Sequence, residues 1–223
     1  MMDTTDDLIR KLAASDGHTG RLAPPWRRMA LWLAVAAPYV TLIVVGMGVR
    51  PELQHMSDAR FIIEQAATLL TAISAAFAAF CAVIPGVPRR LLLLPLLPLA
   101  VWLGSLGQGC LQDWLRFGAA GLTVEPDWHC APRIIIVGAI PAIAMLMMLR
   151  RGAPLSPRIT LALGALAAAA LANFGLRLFH PADASLMVLI WHFGGVALLS
   201  VLAGSLGSRL HNWRNVSGVV RWS

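Results

Sequence analysis

Residues Met29–Val49 read MALWLAVAAPYVTLIVVGMGV. The stretch holds twenty-one residues and no charge, with Arg27 and Arg28 before it and Arg50 after it. About 20 apolar residues in a helix cross the ~30 Å hydrocarbon core of a bilayer. A helix on the surface of a soluble domain keeps a polar face opposite its apolar stripe. Here Tyr39 and Thr41 are the only hydroxyl side chains, so no such face exists. The stretch is predicted to be a transmembrane helix, and it sets the class of the whole chain.

Working outward, five more apolar runs follow: Phe61–Ile84, Leu91–Gly107, Ile134–Leu149, Ile159–Leu178 and Ser185–Leu206. Over 223 residues the chain is 58% apolar and 13% charged, where soluble domains carry about 25% charged residues. The predicted fold class is all-α: a polytopic membrane protein, a bundle of six transmembrane helices with a short cytoplasmic N-terminal amphipathic helix. Pro95, Pro98 and Pro141 predict kinks or ragged ends in the third and fourth runs. The fifth run is Ala-rich, which favours close helix packing in lipid.

The basic residues orient the bundle. Arg10, Lys11, Arg21, Arg27, Arg28, Arg89, Arg90, Arg150, Arg151, Arg158, Arg209, Arg214 and Arg221 fall on one side of a six-span topology. Arg50, Arg60, Arg116, Arg133 and Arg177 fall on the other. Thirteen against five places both termini in the cytoplasm. The net charge of +7 therefore reads as topology and not as nucleic-acid binding. The chain divides into a cytoplasmic tail (1–28), a transmembrane domain (29–208) with a periplasmic loop (108–133), and a C-terminal tail (209–223). The polar first 28 residues and the lack of a small-residue cleavage site argue against a leader peptide, so the first span is expected to be retained.

The tail sequence DTTDDLIRKLAAS reads as a short amphipathic helix. Thr4 or Thr5 caps it, Asp6 and Asp7 suit the positive end of its dipole, and Leu8, Ile9, Leu12 and Ala13 form an apolar stripe. A helix this short is marginal alone and needs something to bury the stripe. Either the lipid surface and the protein's own loops do so, or a soluble partner takes the stripe in a groove. Four Asp in the tail disfavour anionic headgroups.

Cys110 and Cys130 lie in the predicted periplasmic loop, beside Asp127 and His129. Three readings stand open: a permanent disulfide, a redox- or metal-responsive thiol pair with His129 and Asp127 as auxiliary ligands, or two unlinked thiols. Around Cys110, CLQDWL puts Cys110, Leu111, Trp114 and Leu115 on one face of an interfacial helix. Cys81 is expected to be a packing residue. Asn173 and His192 are polar groups inside the membrane, suited to an interhelical hydrogen bond or a solute site. Glu64 and Arg177 lie near helix ends and can snorkel to the interface. Ser200, Gly204 and Ser208 form a small-residue stripe that suits a helix contact or a homodimer. No phosphate loop, metallohydrolase motif or nucleophile elbow is present, so no enzyme, resident cofactor, small-molecule substrate or direct nucleic-acid contact is expected. A small-solute or metal transporter and a scaffold subunit of a membrane complex are the rival classes.

Four features together resemble the NrsF-type anti-sigma-F factors: TDDLIRKLA (Thr5–Ala13), RLAPPWRR (Arg21–Arg28), GVRPEL with DARFIIEQA (within Gly48–Ala67), and the two cysteines. The resemblance implies a six-span inner-membrane protein that holds an extracytoplasmic-function sigma factor inactive. It further implies release on heavy-metal or oxidative stress through paired cysteines, here Cys110 and Cys130, with metal bound only transiently. The sigma-binding segment would be the tail around Asp6, Asp7, Leu8, Ile9 and Leu12.

Overall fold

The computed structural model describes residues 5, 7, 9–10, 22–48, 59–118, 130–152 and 156–179, with only the backbone of Asp113 and of 130–135. The described residues form five long helices and no strand: α1 Pro25–Met47, α2 Ala59–Ala82, α3 Leu96–Phe117, α4 Cys130–Leu149 and α5 Pro157–Phe179. A short 3-10 segment, Arg89–Leu93, leads into α3. Four segments are long and apolar enough to cross a membrane: α1, α2, α5 and the stretch Arg89–Phe117 that contains α3. The apolar part of α4 is shorter, Ile136–Leu149. The predicted sixth run, Ser185–Leu206, lies outside the described residues, as do the C-terminal tail and the stripe Ser200, Gly204, Ser208.

Successive helices run antiparallel, and hydrogen bonds fix the register. Trp32 Nε1 on α1 donates to the Pro141 carbonyl of α4 at 2.9 Å, and the Tyr39 hydroxyl donates to the Ile136 carbonyl at 2.7 Å. Both bonds fall near Pro141, whose absent amide N–H frees the Val137 carbonyl and loosens the helical ladder there. Helices α2 and α5 form the centre of the bundle. Their contact is made of small residues: Ala72, Ala75, Ala76 and Ala79 on α2 are fully buried, and so are Ala167 and Ala170 on α5. Small side chains let backbones approach and gain dispersion where lipid offers no hydrophobic drive. Gly175 extends the same logic to α1, because a methyl group there would overlap Val40. Cys81 sits in this core at 2% exposure, beside Phe80.

Helix α1 buries a narrow stripe at every fourth position: Arg28, Trp32, Ala36, Val40 and Val44. Leu31, Val35, Leu42 and Val45 face outward. The hydroxyls of α2 do not compete for partners elsewhere: Thr68, Thr71 and Ser74 donate to the carbonyls of Glu64, Ala67 and Leu70 one turn back.

Three boundaries differ from the sequence reading. Helix α1 starts at Pro25, not Met29, because Pro at the first helical position needs no N–H partner. Arg27 and Arg28 are therefore helical, not part of the tail. Helix α3 starts at Leu96 and runs unbroken to Phe117, so the predicted loop from residue 108 is helical up to Gly118, whose φ of 59° ends the helix. Pro98 does not kink it, since it falls in the first turn, where the N–H is unpaired in any helix. Helix α4 starts at Cys130, which shortens the loop from its far side. Gly107, Gln108 and Gly109 read as a loop start, yet in an apolar environment an interrupted ladder leaves carbonyls and amides unpaired at several kcal/mol each, so the helix continues.

Candidate functional site

Two polar centres stand out, one at each end of the bundle. The end holding Met47, Ala59, Phe117, Cys130 and Phe179 is called the Glu64 end; the other is the Pro25 end.

At the Glu64 end, Glu64 lies in the second turn of α2 and is 3% exposed. Its Oε1 accepts from Arg60 Nε at 2.9 Å, one turn earlier, and from the Ser105 hydroxyl of α3 at 3.3 Å. Its Oε2 accepts from Arg177 Nη2, in the last turn of α5, at 2.7 Å. One carboxylate thus ties three helices. Neither Glu64 nor Arg177 snorkels as the sequence suggested: their pairing offsets the cost of desolvation, and the Arg177 guanidinium also lies over the Phe61 ring at 5.7 Å. Gln65 extends the polar layer, donating to the Phe174 carbonyl at 3.2 Å. A buried charge pair gains little net stability, but breaking it leaves an uncompensated charge.

The cluster borders Cys110. Arg60 reaches across to α3 and lays its guanidinium on Gly109, where an added methyl group would overlap it. Gly109 is buried and Cys110, the next residue, is half-buried. Leu111, Trp114 and Leu115 point outward at the same end. Cys110 is therefore a helix residue two turns from the end of α3, and Cys130 is the first residue of α4. The side chain of Cys130 and all of Asp127 and His129 lie outside the described residues.

Of the predicted sigma-binding segment, Asp7 and Ile9 are helical and exposed, Ile9 at 58%. Asp6, Leu8 and Leu12 lie outside the described residues. Asn173 is buried on α5 with its Oδ1 unpaired among the described residues, and His192 lies outside them.

At the Pro25 end, Arg28 opens the buried stripe of α1 and is 6% exposed. It donates through Nη2 to the Met148 carbonyl near the C-terminus of α4 and stacks over Phe80 at 4.7 Å. Its Nη1 is buried with no partner among the described residues.

Sequence reasoning named Glu64 and Arg177 as separate interfacial side chains and Arg28 as a topology signal, but did not bring them into clusters. The Arg60–Glu64 spacing of four was legible as a helical ion pair. Arg28 was legible too, lying four residues before Trp32 on the same face. Arg177, Ser105 and Gly109 were not, because only tertiary packing brings them to Glu64.

No curated protein and no solved structure matches the chain. The family model described as "Negative regulator of sigma F" matches residues 12–213, nearly the full length, and takes in both polar centres and both cysteines. On that match, the chain belongs to the NrsF family of negative regulators of sigma F.

Proposed function

We propose that this chain is a six-span anti-sigma factor of the bacterial inner membrane, with both termini cytoplasmic. It holds an extracytoplasmic-function sigma factor away from RNA polymerase and releases it on heavy-metal or oxidative stress, acting by binding and not by catalysis. The observation that carries the reading is the family match over residues 12–213. The orientation is supported by the way antiparallel packing sorts the arginines: Arg27, Arg28, Arg89, Arg90, Arg150, Arg151 and Arg158 share the Pro25 end, and Arg60, Arg116 and Arg177 the Glu64 end.

Sensing would begin at Cys110 and Cys130. A disulfide or a bound metal there changes the ends of α3 and α4, and Arg60 on Gly109 carries a change in α3 to Glu64, hence to α2 and α5. The stimulus shifts the equilibrium only by its differential free energy for the two states, about tenfold per ~1.4 kcal/mol. On the inner side, the tail segment around Asp6, Asp7, Leu8, Ile9 and Leu12 is the docking segment; all but Leu12 precede the residues that the family model matches.

The test is co-purification of the tagged protein with the sigma factor encoded beside it, from membranes in mild detergent, repeated with Asp3–Ser15 deleted. Co-elution lost on deletion places the contact on the tail; co-elution that survives moves it to the cytoplasmic loops. A well-folded preparation that retains no sigma factor would sink the reading. For the sensor, replacing Cys110 and Cys130 with Ser is expected to abolish induction by metal or oxidant while the protein still reaches the membrane. Normal induction in that double variant would remove the thiols from the mechanism.

A further inference from the structure

Arg28 presents an unusual balance. A guanidinium has five N–H donors and no acceptor capacity. Here one nitrogen bonds the Met148 carbonyl, the face rests on Phe80, and Nη1 is shut in the protein with no partner among the described residues. Leaving a buried charged donor unpaired is among the more costly arrangements in a folded chain. Its surroundings add more positive charge. Arg27 is adjacent and stacks on Trp26 at 5.1 Å, and Arg151 stands close enough to repel Arg28. Arg89, Arg90 and Arg150 are exposed at the same end. From Arg21 to Arg158, the segments placed at this end contain no acidic residue. The counter-charge of Arg28 therefore comes from beyond the described helices.

Depth identifies the source. Trp26 is 55% exposed in the first turn of an apolar helix, and exposed Trp at such a position marks the headgroup level of a bilayer. Arg28 lies half a turn further in. Phosphate oxygens sit at that level, and the planar fork of a guanidinium matches them in bidentate geometry. We infer that the Pro25 end of the bundle holds the phosphate oxyanion of an anionic phospholipid headgroup, seated between α1 and α4 with Arg28 as its deepest ligand and Arg27 and Arg151 as its rim. The guanidinium turns Nη1 toward the headgroup layer when the lipid seats, keeping Nη2 on the helix α4 carbonyl. This inference goes beyond sigma-factor binding and needs only that the helices lie in a bilayer.

The experiment uses the full chain, purified in mild detergent and placed in phosphatidylcholine nanodiscs with and without phosphatidylglycerol. Lipid retained per chain is counted by native mass spectrometry, and thermal unfolding is followed in parallel. The wild type is expected to retain phosphatidylglycerol selectively and to melt at a higher temperature in its presence. Arg28→Gln is expected to lower that retention at least about tenfold, the loss that accompanies one charge-assisted hydrogen bond. Arg151→Gln, an exposed change that leaves the core intact, is expected to weaken it less, and keeps the test open if Arg28→Gln does not fold. Inorganic phosphate alone giving the same rise would keep the oxyanion site and make its source free phosphate. Equal retention of phosphatidylglycerol by wild type and both variants would overturn the inference. So would stabilisation that ignores phosphatidylglycerol and disappears when Asp3–Ser15 is deleted, since the counter-charge would then be a carboxylate of the tail.

Discussion

Arg177 and Arg28 are arginines enclosed near opposite ends of one helical bundle, and their surroundings differ in one respect. Arg177 meets a carboxylate, Glu64, which Arg60 and Ser105 also serve. Arg28 meets a carbonyl, an aromatic face and further arginines. The first centre closes on itself: its donors and acceptors come from three helices of the same chain, so it fixes how those helices sit. The second has no carboxylate among the described residues. Self-contained polar layers lock a fold, and incomplete ones mark where a fold meets a partner.

The largest effect is expected from Glu64→Ala. Two guanidinium groups would lose their carboxylate, Arg177 with its side chain 13% exposed and Arg60 with 29%. Destabilisation of about 3 kcal/mol is expected in detergent unfolding, at the lower end of the range for breaking a buried pair because Arg60 can turn to solvent. Adding Arg177→Met to Glu64→Ala should restore about 1–2 kcal/mol of that loss, measurable as a double-mutant cycle. A zero coupling energy would show that the pair is not a closed unit.

Arg28→Met is expected to cost less, about 1 kcal/mol, because it forfeits one hydrogen bond and a ring contact while removing an unsatisfied N–H. A cost equal to that of Glu64→Ala would break the contrast between the two ends. The smallest effect is expected from Gly109→Ala. Its methyl group displaces only the flexible end of Arg60, weakening a partly exposed pair by less than about 1 kcal/mol. Its value lies in the readout: if Arg60 links α3 to Glu64, this change should alter the inducer concentration needed for half release while stability barely moves.

Much of this was legible in the chain. An uncharged stretch such as Met29–Val49 has one stable form in lipid, and five of the six apolar runs coincide with described helices within a few residues at most ends. The exceptions teach more. Residues 108–117 read as part of the periplasmic loop, with an interfacial helix around Cys110–Leu115 separate from the third span. The helix passes through them, since Gly109 is where Arg60 crosses and not where the chain turns. Glu64 and Arg177 looked like interfacial side chains because each was weighed alone; their burial depends on a partner more than a hundred residues away. Arg28 was counted as a topology signal, and its place on the Trp32 stripe was passed over.

By itself, then, the sequence determined that this protein is a set of apolar helices with basic residues sorted to one side, and the order of its motifs pointed to its family. Those properties follow from transfer of side chains and backbone into lipid, which each segment undergoes on its own terms. The tertiary structure alone decided that one carboxylate would be shared by three helices and that Gly109 would be a seat for a guanidinium. It also decided that Arg28 would be buried with a donor to spare. Pairing energies in a low dielectric depend on which helices meet and at what depth, and no single segment carries that information.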